Sequence, residues 1–139
     1  MTITEYLTYQ SNDAIKEFSN NMIQSLVAIQ NVNIKKYAKK FNWEILNLEH
    51  TNPQKVILIK KEKNDIPELW VSADYTNYRK AFKLYLSKYF EINNLNRLYH
   101  VDHSIPRNTF KNKNSVYYIR LFLISGELNC KYGSLYEKL

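Results

Sequence analysis

One cysteine, three prolines and two glycines in 139 residues close off several possibilities. Cys130 alone cannot form an intramolecular disulfide or supply a Cys-x-x-Cys zinc knuckle, so nothing calls for an oxidising compartment. So few glycines and prolines exclude collagen-like repeats and a long flexible linker. No apolar run approaches the roughly 20 residues that cross a bilayer, so no membrane span is expected. The first residues lack a basic segment followed by an apolar one, and no secretory signal is expected in this sequence. Acidic residues are also scarce, with 13 Asp and Glu against 20 Lys and Arg, a net charge of +7 and a pI near 9.4. That surplus favours an anionic partner, with nucleic acid or an acidic protein ahead of a membrane surface.

What the chain has is aromatic and amide side chains. Twelve tyrosines lift the aromatic share to 14%. The 17 asparagines are scattered, so they read as compositional bias and not as a prion-like tract. The length fits one domain, 1–139, with a real core. Ile15, Phe18, Met22, Leu26 and Ile29 recur at helical steps, predicting a helix over 13–30 capped by Ser11 or Asn12. "NIKKYAKKFN" predicts a second helix with its lysines turned outward. "WEILNLEH" and "KVILIKK" flank the turn signal "TNPQ", which predicts a β-hairpin, and "ELWVSA" adds a strand after Pro67. A helix capped by Asp74 follows, with Tyr78, Phe82, Tyr85, Leu86 and Tyr89 on its apolar stripe. Strand "RLYHV", a basic loop from Ser104 to Ser115, strand "VYYIRLFLI" and a helix from Ser125 complete an α+β chain.

The stretch "LYHVDHSIPRNTF" carries the chemistry. On a bland reading, Asp102-His103 is a surface turn pair and Arg107, Lys111 and Lys113 belong to a solvated basic loop. On the functional reading, those three cations, with Arg79, Lys80 and Lys83 on the preceding helix, bind a phosphate backbone. Taken in order, VDHSIP, the basic loop and RLFLISGELNCKYG resemble the His-Asn-His (HNH, ββα-metal) nucleases. The resemblance is to the Asp-His…Asn form found in the HNH domain of RNA-guided CRISPR effector nucleases. It spans about residues 98–138 and includes Asn129 and Gly133 on the last element.

The pattern along the chain predicts N-terminal helices and a β-hairpin packed on a C-terminal ββα unit, and the resemblance implies that this unit is of the ββα-metal kind. It implies a metal-dependent endonuclease in which His103 is the general base, and Asp102 and Asn129 hold a divalent ion, Mg²⁺ by the hardness of oxygen ligands. Adjacent strand residues point to opposite faces, so Asp102 and His103 converge only if the strand ends there, as Pro106 suggests. The family's middle Asn position falls on Arg120, which cannot accept a hydrogen bond; it either clamps the scissile phosphate or marks an inactive relative. His50 and His100 are bystanders, with a supporting contact open to His100 on the Asp102 face. Nucleases of this kind act as bacterial toxin or effector modules, implying a cytoplasmic site of action, delivery by a secretion system and an acidic cognate inhibitor. An inactive nucleic-acid-binding module and a basic protein-interaction module are the alternatives.

Overall fold

The computed structural model describes residues 1–18, 28–110 and 115–125. Its elements are α1 (Ile3–Phe18), β1 (Ala28–Gln30), α2 (Asn31–Phe41), β2 (Glu44–Leu46), β3 (Val56–Lys60), β4 (Glu68–Ser72), α3 (Tyr78–Phe90), β5 (Tyr99–His103) and β6 (Tyr117–Ser125). The strands make one curled antiparallel sheet in the order β1-β6-β4-β3-β2, with β5 also paired to β6. The α+β class therefore holds. No helix among the described residues is long and apolar enough to cross a membrane.

Alternation along the strands sorts their side chains to two faces. Val56, Leu58, Leu69, Val71, Leu121 and Leu123 pack with Tyr6 of α1 and Phe82, Leu86 and Phe90 of α3. Ile57, Ile59, Trp70 and Tyr118 pack on the other face with Ile34 of α2 and Trp43. β3 is nearly all apolar because both its faces are covered. That is what a central strand between two helical layers requires.

α1 starts ten residues before the expected helix. Thr2 and Glu5 form a reciprocal capping box, the Glu5 amide donating to Thr2 Oγ1 at 3.1 Å and the Thr2 amide to Glu5 Oε1 at 3.0 Å. The apolar stripe misled because two of the positions α1 buries, Gln10 and Glu17, are polar, while Ile15 is 61% exposed. Ile29 is in a strand, and Met22 and Leu26 lie outside the described residues. Gln10 shows why a polar residue was placed there. Its amide accepts from the Leu123 amide and donates to the Leu123 carbonyl, both at 2.8 Å. The pairing of β4 with β6 covers Tyr118 to Arg120, so this side chain supplies ladder bonds that a neighbouring strand would have made.

The hairpin of β2 and β3 and the strand β4 are as expected. Asp74 does not cap α3, which begins after Asn77; its carboxylate is held instead by Lys55 and Ser72. The chain's two glycines, Gly126 and Gly133, lie well beyond both helices in the sequence, so the left-handed caps of α2 and α3 are made by Asn42 and Glu91. The C-terminal unit is described only in part. Its two strands pair as β5 and β6, and β6 is also built into the main sheet between β1 and β4. Ser125, the expected helix start, ends β6, and no ββα unit occurs among the described residues. Residues 126–138 of the expected unit lie outside them.

Candidate functional site

β5 does not end before the Asp-His pair. It runs to His103 in register with β6, Asp102 opposite Phe122 and His103 opposite Leu121, and the Ser104 amide still donates to the Arg120 carbonyl at 2.9 Å. β6 is nine residues long and keeps offering partners, so the strand continues until Pro106 is near. Directly opposite residues share a face, which puts Asp102 with Phe122 and His103 with Leu121 on opposite sides. His100 shares the Asp102 side, and His50 is exposed at a loop position with φ 67°.

His103 turns toward α3. It is only 6% exposed, and its ring lies edge-on to Tyr78 with centroids 4.5 Å apart. Nε2 has no hydrogen-bond partner among the described residues. Burial, with the positive charge of Arg107 adding to it, lowers the imidazole pKa to about 4, so the ring is neutral at neutral pH. Arg107 sits in a short 3-10 turn, Arg107–Phe110, where its Nε donates to the Ala73 carbonyl at 2.9 Å. Its guanidinium lies 5.6 Å from the Tyr78 ring centroid. Tyr78 thus contacts both the imidazole and the cation.

The other expected residues are dispersed. Arg79 is tied to backbone, donating to the carbonyls of Tyr99 at 2.7 Å and Asn96 at 3.1 Å, so it anchors the approach to β5. Lys80 and Lys83 are exposed on α3. Lys111, Lys113 and Asn129 lie outside the described residues. Of the two expected metal ligands only Asp102 is described, on the face away from His103. The described residues do not bring a divalent ion and the base to one point.

Arg120 is drawn elsewhere. Its guanidinium contacts Asp13 at 2.7 Å and Glu17 at 2.6 Å, both on α1, and Glu68 of β4 at 3.3 Å. It lies 4.6 Å from the Phe122 ring centroid. Lys61 joins from the end of β3, 3.0 Å from Glu17 and 3.3 Å from Glu68, with Trp43 and Trp70 beside it. The cluster borders a cavity of about 50 Å³. Ligand atoms of Asp13, Glu17 and Glu68 come within 4.8 Å of one another, a spacing that can hold a cation, but Arg120 and Lys61 already supply the positive charge. Sequence reasoning missed this group. The signal was there: Glu68, which opens β4, and Arg120, inside β6, are the lone charges of two otherwise uncharged strands.

Asp13, Glu17 and Glu68 crowd together at a buried place, which favours a proton on one of the carboxyls. Burial first, then the hydrogen bond to Glu68 and its charge, push Glu17 up to about 8. Burial also works to raise Glu68, but Arg120, the bond from Glu17 and Lys61 outweigh it and hold Glu68 below the ordinary carboxylate range. The sign follows from linkage. Folded protein holds the Glu17 proton where unfolded chain has lost it, so this group's contribution is full below about 4.5 and is lost as pH rises through about 8. Glu17→Gln mimics the protonated form and is expected to flatten the decline across that window, raising stability at its alkaline end by a few kcal/mol. Urea unfolding at several pH values reads this directly, and an unchanged slope would show that Glu17 does not hold the proton.

No protein-family model matches the chain, and no curated protein or solved structure is detectably similar to it.

Proposed function

We propose that the protein is a nuclease that hydrolyses phosphodiester bonds of nucleic acid, with His103 accepting the proton of the attacking water. The observation that carries this reading is the neutral, buried imidazole whose Nε2 has no partner among the described residues. A buried polar atom left unsatisfied costs stability, and such groups concentrate where a protein needs them for chemistry. Arg107 is the adjacent cation, suited to the phosphate by its planar fork of donors. In the hydrolysis, water oxygen attacks phosphorus, its proton passes to Nε2, and the bond to the leaving sugar oxygen breaks as that oxygen takes a proton from solvent water. The bound phosphate's negative charge raises the proton affinity of the imidazole when it is needed. Mg²⁺ belongs to this reading only through Asp102 and Asn129, and its chemistry would be charge neutralisation at the phosphate.

A second reading, nucleic-acid binding without cleavage, is favoured by two features. Asp102 and His103 face opposite ways, and Arg120 is held in a buried charge cluster. Incubating the protein with supercoiled plasmid and with total RNA, in Mg²⁺ and in EDTA, separates the two. The nuclease reading expects cutting that EDTA stops and that Asp102→Ala abolishes while nucleic-acid binding persists. Full cutting in EDTA would remove the metal from the proposal. Binding with no cutting of either polymer would leave only the second reading.

A further inference from the structure

The charge that the His103 region does not use is concentrated on α2. This helix carries Lys35, Lys36, Lys39 and Lys40, all exposed, and no acidic residue. Lys35 with Lys39 and Lys36 with Lys40 are like-charge pairs at i,i+4, an arrangement that destabilises a helix. The macrodipole favours Lys39 and Lys40 in the last turn, but it does nothing for Lys35 and Lys36. None of the four is in an ion pair among the described residues. α2 packs by Ile34 against the face of the sheet that carries Ile57, Ile59 and Trp70, whereas α3 and His103 belong with the opposite face.

We propose that the outer face of α2 is a second docking surface for the phosphate backbone of duplex nucleic acid, separate from the α3 and β5 side. The proposal rests on the nucleic-acid reading above but concerns residues which that reading does not use. A polyanion explains what the helix tolerates: each phosphate contact offsets repulsion between neighbouring lysines and releases condensed counterions. The composition favours phosphate over a protein. Interface cores are depleted in Lys and enriched in aromatics and Arg, while the only large apolar side chain that α2 exposes is Val32. Flexible lysines also suit a sequence-independent backbone contact better than a shaped protein surface.

The test is fluorescence anisotropy with a labelled duplex of about 20 base pairs, titrated from low to moderate salt, with polyglutamate as a competing polyanion of the protein type. The variants are K35Q/K36Q/K39Q/K40Q and, for comparison, K80Q/K83Q. The α2 variant removes repulsion among exposed groups and gives up only the small macrodipole gain at Lys39 and Lys40 and the contact of Lys40 with the Phe41 ring, so it should fold about as well as the parent, which circular dichroism and thermal melting verify. Its duplex affinity should fall by at least roughly tenfold at low salt, with the log–log salt slope shallower by up to about 3.6, or 0.9 for each of four contacts. Parent-like affinity and slope in the α2 variant, with loss in the α3 variant, would overturn the α2 surface and leave the nucleic-acid reading standing. A parent that ignores the duplex but binds polyglutamate through α2 would overturn both and make the surface a dock for an acidic protein. A parent that binds neither would also overturn both.

Discussion

His103→Phe is expected to give a folded protein of parental stability that cuts nucleic acid roughly 10²–10⁴-fold more slowly, the usual worth of a general base. The two readouts separate because the histidine is buried. His103→Ala would open a cavity beside Tyr78 in a site that is 6% exposed, so a loss of activity there would mix chemistry with folding. Phenylalanine keeps the ring against Tyr78 and removes the nitrogen that has no partner, a change that is near neutral or stabilising when the replaced atom was unsatisfied. The pH behaviour adds a second signature. Because the folded imidazole titrates near 4 and an unfolded one near 6.5, unfolded chain binds the proton first as pH falls. This group's stability contribution is therefore present above about 6.5 and is lost as pH falls through about 4. The parent should lose that stability in mild acid and the Phe variant should not. The acid limb of cleavage should lie below the range of an exposed imidazole. A Phe variant that cuts as fast as the parent would make Asp102-His103 an ordinary stretch of sheet.

The elements most legible in the sequence were those whose burial follows one period. α2, the β2–β3 hairpin, β4 and the apolar stripe of α3 declare themselves because Ile34, Ile57, Ile59, Trp70, Phe82 and Leu86 are apolar where the fold needs them buried. α1 was misplaced because the fold buries Gln10 and Glu17 there for bonding, which hydropathy reads as solvent exposure. The capping box at Thr2 and Glu5 was the better signal for its start. β1 is three residues long and pairs across some ninety residues of sequence, so its partner rather than its own pattern defines it. The candidate site was legible as a list and not as an arrangement. "VDHSIP" pointed to a proline-ended strand, yet the strand's length is set by β6, and pairing of two further residues sends Asp102 and His103 to opposite faces. For Arg120, a role borrowed from spacing gave way to the acids of α1, which a linear reading has no means of bringing beside it.

Arg120 is where the second large effect is expected. Arg120→Met should cost about 3–5 kcal/mol, because it leaves Asp13, Glu17 and Glu68 buried or half-buried with Lys61 as their remaining cation. Packing alone cannot produce that figure, since methionine fills much of the same space along Phe122. The deficit should shrink toward acid pH, where the abandoned carboxyls take up protons and stop repelling one another. A packing defect would be insensitive to pH. Converting Glu17 and Glu68 to Leu and Lys61 to Met in the same chain should recover most of the loss, since these three pair with one another and a buried ion cluster exchanged together for apolar groups is often neutral or better. Urea unfolding of the single and quadruple variants in acid and at neutral pH gives all four numbers. A single variant of parental stability would mean that the cluster does not hold α1 to the sheet. Arg120 would then be available again for the phosphate role its spacing suggested.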